Sequence, residues 1–141
     1  MSILLCIPED KHDLSAVERA KEIGFPSLNE ALPELLTWVQ DANWPVAKPI
    51  ASILRQAGPE IVPHIRNILS GYDAVWKYWI IVLVIAHTTP EVFEQLRDEL
   101  LRLANDPDNK DKVERMDIVA LEALIQSPNM GTSGTSASGI D

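Results

Sequence analysis

Cysteine is all but missing from this chain. Cys6 stands alone, so no internal disulfide can form and no secreted, disulfide-built framework is implied. Long apolar runs are missing too. The most apolar stretch, Tyr78 to Ala86, falls far short of the roughly 20 residues that span a bilayer. The N-terminal "SILLCI" is too short for a signal h-region and lacks a basic flank. A cytoplasmic protein is the expectation, with no membrane partner. Basic residues are scarce: 12 Lys and Arg face 21 Asp and Glu, for a net charge of −9. Nucleic-acid binding rests on clustered Lys and Arg that displace counterions from phosphates, so this balance argues against it. An acidic surface suits a basic protein partner through complementary fields, and it also keeps a protein soluble. No segment shows convincing period-two alternation, so no sheet is expected.

What the chain does have is a repeat. Residues 41–44 read "DANW" and residues 73–76 read "DAVW". The run "PEIVPHIRNIL" (59–69) returns as "PEVFEQLRDEL" (90–100), and "ALPELLTWV" (31–39) lines up with "IVPHIRNIL" (61–69) as a fainter copy. A period of 30–32 residues marks stacked helical hairpins. At 141 residues, 46% of them hydrophobic, the chain suits one domain that buries roughly two-thirds of its unfolded surface.

The local pattern agrees. "LSAVERAKEIG" places Leu14, Val17, Ala20 and Ile23 on one face, with Asp13 or Ser15 as N-cap and Gly24 as the stop. Further helices are expected over 27–40, 44–57, 60–70, 74–87, 90–104 and 111–126. Pro33, Pro49 and Pro63 each predict a kink or a delayed first turn, and a kinked first helix in Pro49's hairpin fits a HEAT-type scheme. Asp41 and Asp73 are expected to cap the next helices. Trp44 and Trp76 then begin those helices and fill the wedge between hairpins. The fifth helix, "VWKYWIIVLVIAH", is apolar nearly all round and reads as buried on every side. Together these give an all-α, HEAT-like superhelix of about seven helices in two layers over residues 1–126. The polar stretch 105–112 is a loop, and the Gly/Ser/Thr-rich tail 127–141 is expected to be disordered.

The blocks "PEDKHDL" (8–14), "WVQDANWPVAKPIA" (38–51), "VPHIRNIL" (62–69) and "VWKYWI" (75–80) resemble, in order and spacing, a bacterial family of short HEAT-like proteins called domain of unknown function 5071. The resemblance covers roughly residues 5–126. It implies an all-helical superhelix and brings no activity with it.

Chemistry-bearing constellations are sparse. The three histidines, His12, His64 and His87, form no metal-ligand spacing. His64 reads as solvent-facing, and His87 as the end of the fifth helix. Cys6 lies in an apolar run that raises a thiol pKa. No nucleophile elbow, phosphate-cradling loop or dinucleotide fingerprint occurs. No catalytic residue, cofactor or metal site is therefore assigned. The candidate partner-binding residues are Lys11, His12, Asp41, Asn43, Trp44, Trp76, Lys77, Glu94 and Asp98. Lys11 and His12 have no evident structural duty. Lys77, on an apolar helix, must snorkel to water or meet a carboxylate. Glu94 and Asp98 lie on the charged face of the sixth helix. Residues 1–40 carry −4, residues 41–80 carry +1 and residues 81–141 carry −6, so the C-terminal part is the better match for a basic partner.

The reading is a non-catalytic protein-interaction module, in one form an immunity-type inhibitor of a basic toxin. Its binding surface would be lined by the second helix of each hairpin. Two alternatives stand beside it. One is a small-molecule binder or enzyme using the Trp/Tyr-rich centre around Trp44, Trp76, Tyr78 and Trp79. The other is a structural homo-oligomer joined through an end of the stack, against the default of a monomer or weak homodimer.

Overall fold

The computed structural model describes residues 3–105 and 116–125, without the side chains of residues 116–118 and 121. Among them are seven α-helices and no strand: α1 (Leu14–Ile23), α2 (Leu32–Thr37), α3 (Ala47–Leu54), α4 (Val62–Leu69), α5 (Ala74–Leu83), α6 (Pro90–Asn105) and α7 (Met116–Ile125). Four 3-10 turns accompany them, at Ile3–Cys6, Ser27–Ala31, Pro59–Ile61 and Ile85–His87. Residues 106–112 of the expected loop and the tail 127–141 lie outside the described residues.

The helices start later than expected wherever a proline stands in the way. Pro33 and Pro63 both occupy the second position of their helices, and each α-helix is preceded by a 3-10 turn. Proline has no N–H to donate and its ring collides with the preceding turn, so it is tolerated only where that N–H would be orphaned anyway. The third copy of the repeat proves the point within one chain. Glu94 stands where the copy before it has Pro63, and α6 runs unbroken from Pro90. Pro49 lies in the first turn of α3, which begins at Ala47. The delayed start is realised there, and no kink is needed.

The repeat is legible in burial. Ala31, Ile61 and Val92 are equivalent, as are Leu32, Val62 and Phe93, then Leu35, Ile65 and Leu96, then Val39, Leu69 and Leu100, and all twelve side chains are buried. Each fully buried Leu, Ile or Val contributes about 1.5–3 kcal/mol relative to an exposed one. These residues join a single apolar core that runs from Cys6 to Ala123. Along it α1 packs on α3, α3 on α5 and α5 on α7, while α2 packs on α3, α4 on α5 and on α6, and α6 on α7.

Several local expectations are corrected. On α1 the buried set is Ala16, Val17 and Ala20, and Leu14, at the first position of the helix, stays 48% exposed. Gly24 ends α1 at φ 64° and ψ −169°, a region that is essentially glycine-only. The two echoed tetrapeptides take different structures. Asp73 caps α5 through the Trp76 N–H at 3.0 Å, and Trp76 lies in the first turn of that helix. Asp41 caps no helix: its Oδ1 accepts the Asn43 N–H at 2.8 Å to close a turn, and Trp44 precedes α3 without entering it. The cause lies downstream, since Pro45 and Pro49 postpone the helix where "KYWII" does not. The fifth helix also divides. It ends at Leu83, and Ile85–His87 continue as a 3-10 turn. It is not buried all round either, with Val75 exposed and Trp76, Tyr78, Trp79, Val82 and Leu83 half-buried.

Candidate functional site

The predicted site residues fall into three places. Lys11 and His12 meet the 41–46 turn, because the Val46 N–H donates to the Lys11 carbonyl at 3.2 Å. Both have backbone duties, contrary to the expectation: the His12 N–H donates to Asp10 Oδ1 at 2.8 Å and its carbonyl accepts the Leu14 N–H at 2.8 Å. Their side chains stay exposed, as does that of Asn43. Trp44 is half-buried and meets Trp38 edge-to-face, with ring centroids 5.6 Å apart. Lys77 does not snorkel; it is 1% exposed and sits among the buried residues of α5. Glu94 and Asp98 are exposed on α6.

In the Trp/Tyr-rich centre Tyr78 and Trp79 pack edge-to-face against each other at 4.8 Å, Trp44 packs against Trp38, and Trp76 holds a backbone carbonyl. Its indole N–H donates to the Leu36 carbonyl at 3.0 Å, supplying a partner to a carbonyl in the last turn of α2. In that position Trp76 lines a groove of about 320 Å³ between α2 and α4, together with Pro33, Leu36, Thr37, His64, Asn67 and Ile68. His64 is therefore half-buried in a groove wall, not simply facing solvent. Of these lining residues, sequence reasoning placed only Trp76 among the site candidates. A signal for the groove did exist in the aligned copies, where Leu36 takes the place of an arginine.

Beyond the groove, α4 and α6 are bound together by arginines. Arg66 Nε pairs with Glu99 at 3.0 Å and its Nη2 donates to the Gln95 carbonyl at 2.8 Å. Arg102 Nη2 donates to the Leu69 carbonyl at 3.1 Å, satisfying the C-terminal end of α4. Arg97 pairs with Glu94 at 2.8 Å and stands over the Phe93 ring at 5.6 Å. Glu34, Glu91 and Asp98, also exposed, have no ion pair among the described residues. The arginines of α4 and α6 are thus tied to the protein, while part of the negative charge on α2 and α6 is left over among the described residues.

Two titratable groups at the other end depart from ordinary values. Burial pushes the Cys6 thiol up, only partly opposed by the Arg19 guanidinium, so the thiolate is disfavoured there. The Glu9 N–H, with help from the Ala16 N–H and Arg19, holds the Asp13 carboxyl below 3.8 despite some desolvation. Among the described residues no three His, Cys, Asp or Glu side chains are grouped to hold a metal ion, and no helix is long and apolar enough to cross a membrane.

No curated protein matches the chain. A family model described as Domain of unknown function (DUF5071) matches residues 6–124, nearly the extent over which the sequence blocks resembled that family. The match takes in α1 through α6, the α2–α4 groove and most of α7. The chain belongs to the DUF5071 family.

Proposed function

We propose that this protein is a non-catalytic interaction module, a short HEAT-like solenoid in which α1, α3, α5 and α7 form one layer and α2, α4 and α6 the other. The contacts of α1 with α3, α3 with α5 and α5 with α7 support that arrangement, as does the α4–α6 packing. Its binding surface is the α2–α4–α6 face, the side that solenoids present to partners. The observation that carries the reading is the charge state of that face. Arg66, Arg97 and Arg102 are each engaged within the protein, while Glu34, Glu91 and Asp98 carry no ion pair among the described residues. Unneutralised carboxylates on an exposed face steer a cationic partner toward it. The specific form of the proposal is inhibition: a small acidic protein of this kind covers a basic toxin such as a nuclease, in the manner of an immunity protein, in the cytoplasm where both are made.

The test is capture from a lysate of the source organism with the full chain as bait, at low and at high salt. The expected result is one basic protein, retained at low salt and released at high salt, whose own activity stops when it is bound. The double substitution Glu34→Lys/Asp98→Lys should release that protein at lower salt than the parent does. Retention of nothing, or of abundant proteins without selectivity, ends the proposal.

A further inference from the structure

The three copies of the repeat differ at one position that decides whether neighbouring helices close against each other. Arg66 in α4 and Arg97 in α6 are equivalent and identical, and the corresponding residue in α2 is Leu36. At the α4–α6 junction Arg66 reaches across to the Gln95 carbonyl and to Glu99 and ties the two helices together. At the α2–α4 junction Leu36 has no polar group to reach with. That junction is where the groove of about 320 Å³ lies open. An apolar residue thus replaces a bridging cation at the junction where two aligned copies leave a groove.

The lining is that of a recognition pocket. Pro33 and half-buried Trp76 make its accessible apolar part, above Leu36 and Ile68, which are 1% and 8% exposed, and Thr37, His64 and Asn67 add polar atoms able to bond a passing backbone. Tyr72 and Val75, just before Trp76 in the chain, are 80% and 45% exposed. Tyr and Trp are enriched at interface hot spots, where a few buried anchors carry most of the binding energy. Glu34 lies on α2 beside Pro33, and Asp98 on α6 in the next helix of the row; neither has an ion pair among the described residues.

We propose that the α2–α4 groove is the anchor slot of the interaction face, and that its occupant is a cationic segment of another protein that inserts one large apolar side chain against Trp76. This rests on the interaction-module reading and adds where the partner docks and what chemistry it must carry. The apolar anchor lies in the groove above buried Leu36, against Pro33 and Trp76, and flanking Lys or Arg side chains meet Glu34 and Asp98. A segment with the anchor and no positive charge would lack steering. One with charge and no anchor would bind as a diffuse, salt-sensitive complex.

A phage-displayed library of random dodecapeptides, selected on the full chain, tests this. The expected outcome is enrichment of sequences that set Trp, Phe or Leu beside Lys or Arg. Synthetic versions of these peptides should lose at least tenfold in affinity when the apolar residue becomes Ala. They should lose as much when Asn67→Trp fills the slot, a substitution at an exposed position checked for folding by circular dichroism. On the unaltered chain, the same peptides should shift the indole N–H resonance of Trp76, which is assigned by its loss in Trp76→Phe. Peptides that bind Asn67→Trp as well as the parent, but lose affinity to Glu34→Lys/Asp98→Lys, overturn the anchor slot and leave the acidic-face reading standing. Peptides indifferent to both variants, or no enrichment over an unrelated acidic control protein, overturn both.

Discussion

Asp13 is where a single residue does most. Its Oδ2 accepts the Glu9 N–H at 3.0 Å and its Oδ1 the Ala16 N–H at 3.3 Å, so one carboxylate both closes the entry loop and caps α1. Two N–H donors aimed at the charged form favour ionisation, and the carboxyl sits below 3.8 in the folded protein. A depressed folded pKa contributes stability that is present above the unfolded value and is lost as pH falls through the folded one. Asp13→Asn leaves one oxygen to accept and turns an amide NH2 toward the other N–H, so it removes the charge and one of the two acceptors, as protonation of the carboxylate does. The parent should therefore be the more stable of the two at pH 7, and the gap should narrow as pH drops below 3.8. Urea midpoints of both proteins at neutral and acid pH check this, and a constant gap would show that the charge is not what the N–H groups hold.

At the scale of elements, the same short sequence takes two forms because of its neighbours. "DAVW" starts a helix at Ala74, with Asp73 as its cap, whereas "DANW" makes a turn three residues ahead of α3. The two aspartates should therefore differ in worth. Asp73→Ala removes an N-cap and should cost about 1 kcal/mol. Asp41→Ala removes an exposed turn bond and should stay within about 0.5 kcal/mol. Chemical denaturation of the two variants side by side measures the difference, and equal losses would mean that the Asp41 turn supports α3 as a cap does. Prolines explain the remaining differences between expected and observed helices. Helix propensity and apolar spacing said where helices lie, but a helix begins only where the proline's missing N–H is tolerated. The notion of α5 as a fully wrapped helix failed for another reason: a run of apolar letters has no preferred face, and burial was decided by which neighbours arrive.

For the whole molecule, the copies share one core and should unfold as one. Ile65 is fully buried at the position that Leu35 and Leu96 occupy in the other copies, within the apolar cluster that runs from Cys6 to Ala123. Ile65→Ala should cost about 3 kcal/mol through lost transfer energy and a residual cavity. Far-UV circular dichroism and tryptophan fluorescence should then report the same urea midpoint, lowered together. Separate midpoints would show that the copies on either side of α4 fold as independent units.

Sequence by itself determined the all-helical class, the repeat and the rough places of the seven α-helices found among the described residues. Each of these depends on the spacing of apolar residues, on capping groups and on the recurrence of blocks, all of which are local along the chain. Tertiary structure alone decided the rest. It placed Lys77 out of water, set Trp44 against Trp38 and the Trp76 indole on the Leu36 carbonyl, and opened the α2–α4 groove while Arg66 bridged α4 and α6. Those outcomes turn on which side chains meet between helices far apart along the chain. The contrast between Leu36 and Arg66 stood in the aligned copies from the start, but only the packed helices show that Leu36 lies buried, 1% exposed, beneath an open groove while Arg66 spans a junction.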